Sequence, residues 1–450
     1  MFLSFLYLGG SFCMAMILVY VSKQSQRCKY IFNLIFSGLV GINVRLTTSK
    51  EEFAGFEGPK INYSGELFED AIFFEPAPLL FESGIRNQNV KLVEYKNIPC
   101  LFPVFDKHSS LPFDPFAAAF YMVSRYEEYF PFIKDKYDRY VASQSIASQK
   151  HFLQKPVVNY WAEMVKEIVN NYYPALKFRQ KKYQFIPTID IDAAYAFRLK
   201  GFVRNSGGFL KSLADRNFSE FFQRARVLSG LEKDPFDTYD YQFTLQKKYN
   251  LKPVYFILFA DYGYNDKNIS VGNIKFQYLL KTIADYAPVG IHPSFGSNFH
   301  PEKLEQEVAN LSAVLKCEIT KSRQHFLMLN FPATYRNLIN LDIADDYSMG
   351  YASQIGFRAG IADTFPFYDL DSDTATHLQI HPFAVMDGTL ADYLQIHVDE
   401  ALQKIKPLID ETKAVKGTFM SIWHNVSLSN QGKWKDWRNV YEEMIQYALP

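Results

Sequence analysis

Phe185-Ile186-Pro187-Thr188-Ile189-Asp190-Ile191-Asp192 is an apolar run that closes on two carboxylates two residues apart. It reads as a β-strand, and side chains at i and i+2 of a strand share a face. Two acids aimed at one spot repel unless a cation or a shared proton lies between them. From Gln184 onward, further short apolar runs follow: Val254–Phe259, Val289–Ile291, Phe326–Leu329, Leu378–Ile380 and Thr418–Trp423. Amphipathic stretches separate them. In Glu302–Lys316, Leu304, Val308, Leu311 and Leu315 recur at helical spacing behind Pro301, and a second helix follows Pro332. Strand–helix alternation over such a length implies an α/β unit with a parallel sheet, open or closed into a barrel. The segment 198–240 is too long and too basic for a simple connection and reads as a helical insertion beside the site.

Upstream, residues 16–180 read as a separate α/β domain. It has strand-like Ile17–Val21 and Asn43–Thr47 and helical stretches near Pro115–Tyr129 and Val157–Asn171. It holds only two histidines, His108 and His151, and no dense acid or histidine cluster. The division expected is thus 1–180, of unknown role, and 184–450, which carries the chemistry.

The 450 residues suffice for two or three domains, and 48% hydrophobic against 21% charged content is that of a globular chain. Lys plus Arg equals Asp plus Glu at 48 each, which argues against a nucleic-acid partner. The 41 Phe and 30 Tyr suit thick cores before they suit sugar-stacking surfaces. Four cysteines without a C-x-x-C pair give neither a zinc-thiolate site nor a disulfide framework, so a reducing, cytoplasmic setting is expected. Residues 1–22 carry no charge. They read in three ways: a membrane anchor, a secretory signal lacking its basic start, or a late initiation at Met14 or Met16 with a first strand at Met16–Val21.

Seven of the nine histidines fall after residue 290, and His292, His325, His381 and His424 sit at or beside expected strands. In parallel α/β folds the active site gathers at the C-terminal strand ends. Acids from the first strand and imidazoles from later ones would meet there. Neutral imidazole with carboxylate is a ligand set for Zn²⁺, with Co, Ni, Mn or Fe as alternatives.

These elements, in this order, resemble the polysaccharide deacetylase superfamily, carbohydrate esterase family 4, in a divergent branch associated with bacterial surface polysaccharides. Thr188-Ile189-Asp190-Ile191-Asp192 is similar to the family's first motif, in its spaced Asp-x-Asp form. Gly290-Ile291-His292-Pro293-Ser294 resembles the second, Ser322-Arg323-Gln324-His325 stands in the place of the third, and Ser421-Ile422-Trp423-His424-Asn425 resembles the fifth. Asp346 or Arg358 could serve the fourth. The resemblance spans residues 184–450 and implies a distorted (β/α) barrel. It further implies metal-dependent removal of acetyl groups from a sugar or polysaccharide, with Asp190 as general base, Arg323 positioning it and His424 as acid. Asp192 and His292 would be metal ligands. The family's second ligand histidine would fall at position 296, which is Gly296. His325, or else His300, is the expected replacement. A catalytically inactive polysaccharide-binding or assembly module of the same fold is the alternative that Gly296 raises.

Overall fold

The computed structural model describes residues 16–450, which divide into two compact units. The first comprises the described residues up to Phe120 together with Tyr160–Lys181, and the second comprises Tyr121–Asn159 together with Lys182–Pro450. The segment 121–159 therefore groups with the later residues, although it precedes the division read from the sequence.

In the first unit, β1 (Met16–Val21), β2 (Asn43–Thr47), β3 (Lys60–Tyr63) and β4 (Ile72–Phe73) form a parallel sheet in the order β2-β1-β3-β4. β1 is central, and Ile17, Leu18, Val19 and Val21 are fully buried. Buried rings fill the core: Phe116 packs on Phe32, Phe36, Tyr63 and Phe74 at centroid distances of 4.3–5.8 Å. The aromatic excess goes into a core here, as expected. A hairpin of β5 (Leu92–Tyr95) and β6 (Ile98–Leu101) completes the strands of this unit. Of the uncharged segment 1–22, residues 1–15 lie outside the described residues, and Met16–Val21 is paired on both edges as β1. Among the described residues no helix is long and apolar enough to cross a membrane. Cys28, Cys100 and Cys317 are free thiols.

The second unit is built on nine strands. In chain order these are β7 (Gln184–Ile191), β8 (Val254–Ile257), β9 (Val289–Ile291), β10 (Lys321–Ser322), β11 (Asp345–Asp346), β12 (Phe365–Asp369), β13 (Thr374–Ile380), β14 (Val385–Met386) and β15 (Thr418–His424). Their order across the sheet is β12-β13-β11-β10-β9-β8-β7-β15-β14, parallel throughout except for the β12–β13 pair. The α/β reading with a large parallel sheet is thus met. The pairings among the described residues run from β12 to β14 without joining those ends, so no closed barrel is formed.

The run that opened the sequence reading is β7, at the middle of the functional half of the sheet. Its Pro187 cannot donate to a ladder. Pairing with β8 begins only at Thr188, so the proline stands where β7 has β15 alone beside it. Beneath the strand ends, Val254, Phe256, Leu327, Tyr347, Ala352, Phe383, Met386, Met420 and Ile422 form a contiguous apolar core. The insertion is helical, as expected, with helices Gly201–Ala214 and Phe218–Leu228. The helices expected near 302–316 and after Pro332 are found as Pro301–Leu315 and Ala333–Ile339. One strand is misplaced by the sequence reading. Phe326–Leu329 is not a strand; the ladder segment is Lys321–Ser322, and His325–Leu327 forms a short turn. Leu327 joins the apolar core, and Met328 and Leu329 are buried without forming a strand face.

Candidate metal centre and active site

The C-terminal ends of β7, β9, β10, β14 and β15 deliver the chemistry. Asp190 lies in the last turn of β7 pairing, directly opposite His424 of β15 in the parallel register. Asp192 follows just beyond β7. His292 follows β9, its N–H still donating to Ile257 at 2.9 Å, and Arg323 follows β10, donating its N–H to Ile291 at 3.1 Å. Gly290 in β9 is required by this packing, since a Cβ there would fall 2.7 Å from the Lys321 carbonyl oxygen of β10.

His292 Nε2 lies 3.2 Å from Asp192 Oδ1 and 3.9 Å from Asp190 Oδ2, so both acids do share one face. His325 Nε2 and His424 Nε2 approach the other Asp192 oxygen at 3.6 and 3.7 Å. Each imidazole is held from behind through Nδ1: His292 by the Arg323 carbonyl at 2.6 Å, His325 by Asp266 at 2.9 Å, and His424 by Asp387 at 2.8 Å. A carbonyl can only accept, so neutral His292 carries its hydrogen on Nδ1 and turns a bare lone pair from Nε2 toward Asp192. Asp192 Oδ1 is itself buried with no hydrogen-bond partner among the described residues. Two lone pairs facing across 3.2 Å call for a cation between them. Asp192, His292 and His325 accordingly offer ligand atoms that all lie within 4.8 Å of one another. The hydrogen bonds to Asp266 and the Arg323 carbonyl are of the kind that orients an imidazole for a metal. The residues present therefore fit a divalent metal.

The charges agree. Burial alone would raise the Asp192 carboxyl, but the His325 and His424 imidazoles outweigh it and hold it well below the usual carboxylate range. Burial would lower His325; Asp192 and Asp266 prevail and raise it to about 9. His424 is likewise raised to about 10, against burial, by Asp387, Asp192 and Asp190.

Arg323 is fully buried and donates from one nitrogen, Nη1, to Asp190 Oδ1 at 2.8 Å and to Thr188 at 2.6 Å. Its Nε donates to the Tyr347 carbonyl, and its guanidinium lies 4.4 Å over the Phe256 ring. A buried cation held on so many sides fixes the Asp190 carboxylate in place. These groups open on a cavity of about 210 Å³, lined also by Arg139, Leu327, Met386 and Tyr393.

Asp190, Asp192, His292, Arg323, His325 and His424 are thus brought together. His300 is not; it is exposed and bonds Glu302. His381 is held between Asp345 and Thr364 away from the cavity, and His377 is exposed on β13. Asp346 caps Ser348 and Arg358 pairs with Glu128, so neither takes the place in the site expected of the fourth motif. Three participants escaped the sequence reading. Asp387 stands directly after β14, which is only two residues long and leaves no periodic signal. Asp266 sits in the loop between β8 and the following helix. Arg139 belongs to the segment 121–159, in which the sequence offered no cluster. Asp387 precedes His424 by one strand and Asp266 precedes His325 by two, so no common spacing marks the two acids in the sequence.

A family model described as a family of unknown function (DUF7033) matches residues 17–174. No match is found among curated proteins. Among solved structures the chain is similar to a candidate polysaccharide deacetylase from Mycobacterium smegmatis. The identity is 11% and the TM-score 0.39, over 60% of this chain and 85% of the other. It is similar to the polysaccharide deacetylase of Bacillus cereus at 10% identity and TM-score 0.27, over 59% and 88%. A mutant of a CE4-family pseudoenzyme with restored enzymatic activity matches at 11% and 0.25, over 59% and 63%.

Proposed function

We propose that the second unit is a metal-dependent hydrolase that removes acetyl groups from an acetylated sugar or polysaccharide. One observation carries this reading: three imidazole Nε2 atoms converge on the Asp192 carboxylate, beside an Asp190 clamped by Arg323. The motif order in residues 184–450 supports it, and the open nine-stranded circuit is read as that family's distorted (β/α) barrel.

Asp192, His292 and His325 would hold the cation, zinc before cobalt, nickel, manganese or iron. When bound, it supplies a Lewis acid that polarises an acetyl carbonyl and lowers the pKa of water. Asp190 accepts the proton of the attacking water, and Arg323 keeps that carboxylate pointed at the cavity. His424 donates a proton to the leaving amine from Nε2. Asp387, bonded to Nδ1, sets that orientation and favours the charged imidazolium. Leu327 and Met386 offer the cavity an apolar wall for the acetyl methyl group.

The test is elemental analysis of protein purified without chelator, together with acetate release from an acetylated amino-sugar oligomer. A first-row metal lost in Asp192→Ala and His292→Ala is expected. Metal-free wild-type protein that gains no activity on metal addition sinks the enzyme reading.

A further inference from the structure

The helical insertion builds a second cavity, of about 880 Å³, beside the metal-centred one. Its walls begin at Ala196 and Phe197, shortly after Asp192, and include Val426, two residues beyond His424. Lys433 of this wall pairs with Asp392 at 2.6 Å, and Asp392 lines the metal-centred cavity. The two spaces therefore adjoin.

The second cavity is strongly cationic. Lys200, Arg204, Arg224, Lys267 and Lys433 line it with Lys211, against a single carboxylate, Glu220. Arg224 and Lys433 pair with Glu220 and Asp392, and the other four cations give the pocket its excess of positive charge. Arg204 spends both terminal nitrogens on backbone carbonyls, of Asn268 at 2.9 Å and Lys267 at 2.8 Å, and lies 4.2 Å over the Tyr262 ring. Arg224 is 7% exposed; it pairs with Glu220 at 2.7 Å, but its Nε has no partner among the described residues. Gly208 makes room for it, since a Cβ there would fall 2.3 Å from Arg224 Nη1. Burial, then Arg204, push Lys200 down to about 8. Like charges gathered this closely in a concave wall attract an anion.

We propose that this pocket binds the phosphate groups of a diphosphate that carries the acetylated sugar. The sugar end rests on the deacetylase reading; the anion pocket does not. The diphosphate could be borne by a lipid or by a nucleoside. Helix Gly201–Ala214 bears on the choice. Arg204, Gly207, Gly208 and Lys211 line the pocket, while Phe202, Val203 and Leu210 stand 87%, 82% and 69% exposed on a separate stripe. A cationic stripe beside an exposed apolar one suits a lipid–water boundary.

The test is calorimetric titration of the full chain with inorganic pyrophosphate at about 0.15 M salt, where weak surface attraction is screened. Wild type and Asp192→Asn should bind alike. Lys200→Gln, by loss of one charge-assisted contact, and Gly207→Glu, by adding a repelling carboxylate, should each weaken binding by about tenfold or more, with unchanged thermal melting. Gly207→Glu is a safe reversal, since nothing lies within 4 Å of a Cβ built there. Absence of saturable binding overturns the proposal. So does binding that disappears in Asp192→Asn, which would put pyrophosphate on the metal ligands. Parallel titrations with uridine diphosphate and with phosphatidylcholine vesicles containing a polyprenyl diphosphate identify the carrier, and tighter binding in either supports the pocket. If pyrophosphate binds here but no acetylated glycan releases acetate, the pocket stands and the deacetylase reading falls.

Discussion

Asp266→Asn separates the charge behind His325 from the geometry that holds it. Asp266 Oδ1 accepts from His325 Nδ1 at 2.9 Å and from the Phe295 N–H at 3.0 Å. An asparagine carbonyl in the same position keeps both hydrogen bonds and loses only the negative charge. That charge lies roughly 5 Å from Nε2 across the ring, where a unit charge is worth about 3 kcal/mol at an effective dielectric near 20. Part of the effect survives in the amide dipole. The variant should therefore bind its metal about 10–100-fold more weakly, the range found when an outer carboxylate behind a ligand imidazole is removed. Competition against a chromogenic chelator above pH 9, where the His325 proton no longer competes with the metal, measures it directly. Affinity within twofold of wild type would refute the assignment of His325 as a ligand tuned by Asp266, because a ligating imidazole could not ignore the loss.

His325→Ala should lose bound metal on dialysis while His300→Ala retains it, read by elemental analysis; the reverse result would move the third ligand to the other histidine. Asp190→Asn should retain metal yet slow acetate release by about 10²–10⁴-fold, as for a positioned base, whereas Asp192→Asn loses both. A fully active Asp190→Asn protein would remove Asp190 from the chemistry. The pH dependence has a definite sign. In metal-free protein His325 and His424 titrate near 9 and 10, above the ordinary 6.5, so they stabilise the fold below about pH 6.5 and that contribution is lost as pH rises through 9 to 10. Melting temperature of the metal-free form should fall across that window. Apparent metal affinity should rise by about tenfold per pH unit from 7 toward 9, since the metal must displace the His325 proton. A flat affinity profile would count against that proton.

The residues at or just past the end of an apolar strand-like run were legible, and the acids that stand behind the imidazoles were not. Asp190 and Asp192 announce themselves because β7 has an apolar run and period-two geometry. His424 does so because it ends the apolar run Thr418–Trp423, and the structure sets it opposite Asp190 of β7. Segment 326–329 misled for a related reason: a short apolar run looks alike whether it pairs in a ladder or folds under one. Open or closed strand order depends on which edges meet, and no local pattern encodes that. Asp266 and Asp387 depend on which loop the sheet order places behind which imidazole, so only the fold reveals them.

In the proposed reading, His325 takes the ligand place that the family resemblance would put at Gly296. The chain brings His325 there from the turn after β10 only by bending sharply. Phe326 and Leu327 both have positive φ, 58° and 55°, a conformation that bulky residues avoid at a cost of about 1–3 kcal/mol each. The surroundings hold them there. Arg139 donates to the Phe326 carbonyl at 2.6 Å and to the Tyr393 hydroxyl at 3.0 Å, the Tyr137 and Phe295 rings pack on Phe326, and Leu327 is sunk in the core. Arg139 and Tyr137 come from the segment 121–159, which carries no ligand of its own. Its place in the second unit is thus explained by what it clamps: without it, the Phe326 carbonyl loses its donor and the Phe326 ring loses the Tyr137 contact, which leaves Phe295, the buried Leu327 and the Asp266 hydrogen bond to hold the turn and His325 with it.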